Sequence, residues 1–133
     1  MGNFYVGVKA IIMHEKKVLL IKRSEKYKKY GMEGYWDIPG GRISYGEEPI
    51  VGLRREIKEE VGLEFDEVID ILDTSNVFCD KDRHIVRITY LCTVKDVNAI
   101  VSHEHTEFIW INPNDIDFDV KDKLLKKILT QLL

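Results

Sequence analysis

The stretch Gly41 to Leu63, GRISYGEEPIVGLRREIKEEVGL, restricts the folds open to this chain more than any other segment. A period of 3.6 residues places Glu56, Glu59 and Glu60 on one helical face within about one turn. Ile50, Leu53, Ile57 and Val61 recur every three or four residues and form an apolar face that docks the helix, which predicts that the acids look outward. Like charges so close repel. Each i,i+4 pair costs roughly 0.2–0.5 kcal/mol, a penalty that a bound hard cation with oxygen ligands would reverse. Pro49 suits a first helical turn and Gly62 a left-handed stop, so the predicted helix runs from Glu47 or Glu48 to Val61. Ahead of it, Pro39-Gly40-Gly41 forces a turn whose backbone groups can approach a ligand unshielded by side chains. Gly52 lies inside the helix, where Gly costs about 1 kcal/mol relative to Ala, so a packing or functional reason is expected for it.

The remainder reads as scaffold. A chain of 133 residues, 44% hydrophobic and 32% charged, is expected to form one domain spanning residues 1–133 around one core. A net charge of −3 argues against extended nucleic acid as a partner and leaves a small phosphorylated ligand open. No signal-peptide pattern and no apolar run of membrane-spanning length is present, so a cytoplasmic location without membrane association is expected. Cys79 and Cys92 lack the paired spacing of a zinc site and lie in apolar, strand-like surroundings, which reads as two buried free thiols.

Phe4 to Met13 and Val18 to Arg23 read as two strands in a hairpin-like arrangement around the polar turn HEKK. Ser24 to Gly34 is a polar loop of the kind that commonly carries specificity. Tyr35 to Ile38 is a short strand leading into the glycines, and Trp36 is expected to pack. Tyr27, Tyr30 and Tyr35 could stack on a nucleobase or cover the core edge. Glu64 to Cys79 and Arg83 to Val94 are longer strands joined through Asp80-Lys81-Asp82, the second with one largely apolar face. Ser102 to Ile111 is a further strand. From about Asp119 to Leu133 an amphipathic helix carries Leu124, Leu125, Ile128, Leu129 and Leu132 on one stripe.

Gly41, five residues, Glu47, seven residues, Arg55-Glu56, the aliphatic Ile57, one residue, Glu59-Glu60, one residue, then Gly62 and Leu63 together resemble the signature of the Nudix hydrolase family, and no position departs from it. The resemblance covers most of the chain and implies an α/β/α sandwich with a mixed central sheet, the signature helix on one face and the C-terminal helix on the other. For the short chain it points to the MutT-like branch, which cleaves nucleoside triphosphates to monophosphate and pyrophosphate. A nucleoside diphosphate linked to a sugar or a second nucleoside is the alternative substrate. A non-catalytic nucleotide-binding module is the alternative of a different class.

The same resemblance implies a metal site for Mg2+, with Mn2+ as substitute, made by Glu56, Glu59, Glu60 and the Gly40 carbonyl. A further Glu from outside the signature completes it: Glu104 is the candidate, a few residues before Trp110, and Glu107 the substitute. Glu59 or Glu104 would take the proton from water. Arg55 is expected to anchor the loop or to pair with carboxylates such as Glu59 or Glu47, rather than touch substrate, with Glu47 behind the ligands. Arg23 at its strand end, Gly41, Tyr35 and Glu107 are the substrate-side candidates, although Lys22 and Arg23 could equally form a solvated strand end. His103 and His105 flank Glu104, but a strand separates neighbours onto opposite faces and no Cys or distant His completes a site. An acidic helix face is most often solvated, with Arg55 and Glu59 as an i,i+4 pair; the preceding glycines, the spacing and Glu104 favour the metal. A homodimer stays open at this level.

Overall fold

The computed structural model describes residues 3–23, 36–98, 105–116 and 123–132. In chain order the elements are β1 (Asn3–His14), β2 (Lys17–Arg23), β3 (Trp36–Asp37), β4 (Gly40–Arg42), α1 (Pro49–Val61), β5 (Phe65–Cys79), β6 (Arg83–Val94), β7 (His105–Ile111), a 3-10 turn (Pro113–Asp115) and α2 (Lys123–Gln131). Residues 117–122, where the sequence places the start of the last helix, lie outside the described residues.

The sheet is mixed. β1 runs parallel to β6 from Asn3 opposite Arg83 to Ile12 opposite Cys92, and β6 pairs antiparallel with β5. On its other side β1 pairs antiparallel with β4 through Gly7, Val8 and Lys9, opposite Arg42, Gly41 and Gly40. The hairpin expected between the first two strands exists only near its turn, through Met13 opposite Val18 and His14 opposite Lys17. Glu15 and Lys16 form that turn with φ of 49° and 66°, the left-handed pair that matches strand twist. β2 then diverges from β1 to pair with β3 and β7. The divergence opens the gap through which Ile38 and Pro39 lead into β4.

β1 is apolar on both sides because both faces are covered. Val8, Ala10 and Ile12 join Leu53, Ile57 and Val61 of α1 and Tyr90, Cys92 and Val94 of β6 in one core cluster. Ile11 joins Val18, Leu20, Ile38 and the α2 residues Leu125, Ile128 and Leu129 in the other. Each fully buried Leu or Ile contributes about 1.5–3 kcal/mol, so these stripes hold both helices to the sheet. β6 keeps the one largely apolar face expected of it, and its other face is covered as well. Ile85, Arg87 and Thr89 are buried on one side, and Tyr90, Cys92 and Val94 on the other.

Cys92 lies between Ile12 and Val68 in the ladder, and burial pushes its thiol up to about 12. Cys79 is exposed, contrary to the sequence expectation, because β5 ends there beside the exposed turn of residues 80–82. Local composition alone does not register that a strand has run past the core.

Candidate active site

α1 begins at Pro49, with Glu48 extended before it (φ −65°, ψ 139°), and stops at Gly62 (φ 69°), whose N–H donates to the Lys58 carbonyl. These ends fix the phase of the helix, and the three acids separate by depth. Glu60 is 9% exposed and buried, Glu56 is half-buried and Glu59 is exposed. The expectation that all three look outward fails at Glu60, which lies at the helix–sheet junction and accepts the Gly40 N–H at 3.2 Å. Burial raises its pKa to about 7; the Lys9 charge and the Gly40 N–H pull the other way, while Glu56 and Asp37 push with burial.

The glycines before the helix are there for space. A Cβ on Gly41 would fall within 2.5 Å of the Glu56 carboxylate, so that carboxylate packs directly against backbone. Gly40 has φ of 150°, and a Cβ there would overlap the Val8 carbonyl and the stem of Lys9. Inside the helix, a Cβ on Gly52 would meet Ile43 Cγ2 at 2.6 Å and Glu47 Oε1 at 2.8 Å. Its packing reason is therefore the loop of residues 43–47 folded onto the helix.

Glu47 reaches back from that loop to Arg55. The guanidinium grips its carboxylate with two prongs, Nε to Oε2 at 2.9 Å and Nη2 to Oε1 at 3.0 Å. Nη1 donates to Glu56 Oε1 at 2.8 Å and to Glu59 Oε2 at 3.4 Å, and Nη2 also to the Arg42 carbonyl at 3.2 Å. These bonds, together with the Ser44 N–H, hold the Glu47 carboxyl down to about 2. Arg55 thus knits the loop to the helix and lies against two of the three signature acids.

On the far side of the turn stands a pair that sequence reasoning did not single out. Lys9 Nζ lies 3.1 Å from Asp37 Oδ2 and 3.1 Å from the Ile38 carbonyl oxygen, and Asp37 Oδ1 accepts the Ile38 N–H at 2.8 Å. The available signal was a lysine inside the apolar run VGVKAIIM, where an ammonium needs a buried partner.

Gly40, Gly41, Arg55, Glu56, Glu59 and Glu60 are brought together at the junction of β4 and α1. Glu107 lies on β7, exposed and opposite Lys22. The backbone of Arg23 ends β2 opposite His105; its side chain, and Tyr27, Tyr30, Tyr35 and Glu104, lie outside the described residues. Trp110 packs against the first core cluster and donates from Nε1 to the Val97 carbonyl.

A mixed sheet between two helices, with a glycine turn laid across the carboxylates of one of them, defines an α/β/α sandwich whose site is an acidic helix. The NUDIX domain family model matches residues 4–132, and the chain belongs to the Nudix hydrolase family. A MutT-like protein of Streptomyces ambofaciens is 26% identical over 112 residues, which cover 84% of this chain and 66% of that protein. An ADP-ribose pyrophosphatase of Methanocaldococcus jannaschii is 33% identical over 93 residues, 67% of this chain and 50% of that protein. The crystal structure of a MutT NUDIX hydrolase from Burkholderia pseudomallei is similar with a TM-score of 0.82 at 24% identity, covering 98% of this chain and 99% of that one. The chain spans 66%, 36%, 22% and 50% of the length of four such curated relatives.

Nudix hydrolases generally need divalent metal ions. Three carboxylates of α1 are a hard, all-oxygen donor set, and one of them is buried enough to hold a proton near neutrality, which a divalent cation would displace. By donor chemistry the residues fit such an ion. Among the described residues no three acidic side chains converge as a cation cage, and the Arg55 guanidinium lies beside Glu56 and Glu59. Among the described residues, no helix is long and apolar enough to cross a membrane.

Proposed function

We propose that this protein hydrolyses a diphosphate linkage in a nucleoside triphosphate, releasing nucleoside monophosphate and pyrophosphate, with Mg2+ or Mn2+ as cofactor and in the cytoplasm. The observation that carries the reading is the junction of β4 and α1, where a side-chain-free turn lies against Glu56 and Glu60, with Glu59 bound to the same Arg55 guanidinium as Glu56. Phosphate oxygens can approach a backbone of this kind closely. Glu56, Glu59 and Glu60, with the Gly40 carbonyl and Glu104, would hold the divalent ion. The bound ion would neutralise phosphate charge and lower the pKa of water.

The chain's own residues divide the remaining work. Arg55 keeps the Glu47 loop on the helix and sets the orientation of Glu56. Glu59 is the most exposed of the three acids and would accept the proton of the attacking water, with Glu104 as the other candidate base. Arg23, Gly41, Tyr35 and Glu107 are proposed on the substrate side, and the whole of residues 1–133 as one domain.

A nucleoside diphosphate linked to another group is the second reading. It is favoured by the relative named for ADP-ribose, whereas others are named for CTP and 8-oxo-dGTP. Product analysis over a panel of nucleoside triphosphates and ADP-ribose with Mg2+ separates the readings. The expected products are monophosphate and pyrophosphate, with Glu59→Gln slower by about 10²–10⁴-fold. Release of AMP and ribose phosphate from ADP-ribose alone would move the assignment to the second reading. Tight binding without any product would make the chain a nucleotide-binding module.

A further inference from the structure

We propose that Lys9, on β1 and outside the signature, is a positioning residue that sets the conformation of the Ile38-Pro39-Gly40 turn and through it the placement of Glu60. The inference rests on the functional reading above for its consequence in divalent-cation binding, but its structural part stands on contacts alone.

Lys9 lies between Val8 and Ala10, both fully buried, and its own side chain is only 15% exposed. Burying an ammonium costs several kcal/mol unless paired charge and hydrogen bonds offset it. A neighbouring carboxylate would have sufficed for that. Here the contacts do more, because they bracket a single peptide segment from both ends. The Ile38 carbonyl accepts from Lys9 Nζ, and the Ile38 N–H donates to Asp37, which is itself the ion-pair partner of Lys9. Both backbone groups of Ile38 are therefore tied to one cation, directly or through one acid.

The next residues are tied to the same strand. The Pro39 carbonyl accepts the Ala10 N–H at 2.9 Å, and Gly40 stands opposite Lys9 in the β1–β4 ladder. The space that a Gly40 side chain would need is filled by the Val8 carbonyl and by Lys9, with Lys9 Cα 2.7 Å and Cδ 2.9 Å from the ideal Cβ position. Gly40 then donates its N–H to Glu60. The chain of contacts runs from Lys9 through Ile38 and Gly40 to the buried acid of α1, on the side of the turn away from Arg55. The Lys9 charge also acts on Glu60 directly, where Asp37 and Glu56 oppose ionisation. Methionine at position 9 would leave two carboxylates, Asp37 and Glu60, without their common cation.

Lys9→Met alone would remove the ion-pair partner of the buried Asp37 and can unfold the chain, so the decisive variant is Lys9→Met/Asp37→Asn, which removes both charges and keeps the volume. Two quantities are read: hydrogen exchange of the Gly40 amide by NMR, and Mn2+ affinity by calorimetry. The expected result is a folded double variant whose Gly40 amide exchanges faster and whose Mn2+ affinity falls by about tenfold or more, the usual effect of losing a group that orients a metal ligand. Lys9→Arg should keep much of both. A folded double variant with wild-type Gly40 protection and wild-type Mn2+ affinity would overturn the proposal and leave Lys9 as a plain counter-ion of Asp37. If the wild type binds no Mn2+ and hydrolyses no nucleotide, the functional reading falls, and the Gly40 amide still decides the structural claim.

Discussion

Arg55 and Lys9 each bind carboxylates beside the same helix, one from the solvent side of the glycine turn and one from beneath it. Arg55 is 34% exposed on its side chain and serves Glu47 and Glu56, at 14% and 16%, and the open Glu59, at 60%. Lys9 is 15% exposed, its partner Asp37 is 9% exposed, and the same ammonium also binds a backbone carbonyl. Exposed ion pairs contribute little to stability because water screens them and competes for them, whereas a buried pair cannot lose one member cheaply. Glu59, at the open end of the Arg55 network, can therefore exchange a guanidinium for a bound cation at small cost. The buried network fixes the backbone against which that exchange takes place. Adjustable ligands and a fixed turn are what a site needs if it must accept and release a charged substrate.

The comparison breaks most directly at the buried pair. Asp37→Leu removes the direct ion-pair partner of the Lys9 ammonium, and the expected loss is about 3–5 kcal/mol in urea denaturation at neutral pH. A loss below about 1 kcal/mol would mean that Lys9 reaches solvent on its own, and the two networks would then be alike.

Next in size is a pH effect at Glu60, the acid that touches the buried side. Its carboxyl titrates at about 7 in the folded chain and at the ordinary 4.5 once unfolded, so between these values the folded chain holds the extra proton. Its contribution is complete below 4.5 and is lost as pH rises through about 7, by on the order of 3 kcal/mol in a chelator. Glu60→Gln should flatten that slope. An unchanged slope in the variant would assign the titration elsewhere.

A smaller effect is expected at Gly52, buried beneath the loop that Arg55 holds. Alanine offers a helix interior about 1 kcal/mol over glycine. Here the added carbon meets Ile43 and the Glu47 carboxylate, so Gly52→Ala should bring no gain in melting temperature and should loosen the Arg55–Glu47 grip. A more stable variant would show that the loop of residues 43–47 yields without resistance.

The same contrast explains what could be read in advance. The α1 boundaries were legible because Pro49 and Gly62 act through local backbone preferences, and the apolar stripe followed from period alone. Arg55 and Glu47 were legible as partners because a helix and its preceding loop are close in sequence. The parallel pairing of β1 with β6 was not legible, since its partners are some 80 positions apart and no periodicity encodes who pairs with whom. Lys9 and Asp37 were missed for that reason: their separation of 28 positions becomes a 3.1 Å contact only after the sheet forms. The depth of Glu60 likewise depends on where β4 crosses the helix, so three acids that look equivalent on a helical wheel differ in burial and in proton affinity.

The exposed network sharpens the comparison through the variant that keeps its charge. Arg55→Lys retains a cation but cannot make the two-pronged grip on Glu47 while also reaching Glu56 and the Arg42 carbonyl. Stability should fall by no more than about 1 kcal/mol, because the side chains involved are partly solvated. Mg2+-dependent turnover should fall by about tenfold or more, since Glu56 and Glu59 lose the group that orients them. The acid limb of stability supplies an independent reading. Hydrogen bonds from Arg55 hold Glu47 down to about 2, so its contribution is present above 4.5 and is lost as pH falls through about 2. In Arg55→Lys that acid transition should move upward by about 0.7 pH units or less, the shift that a loss of about 1 kcal/mol allows. A stability loss as large as that of Asp37→Leu would place Arg55 among the buried, backbone-fixing groups; a small loss with a large fall in turnover keeps it as the adjustable partner of the acids.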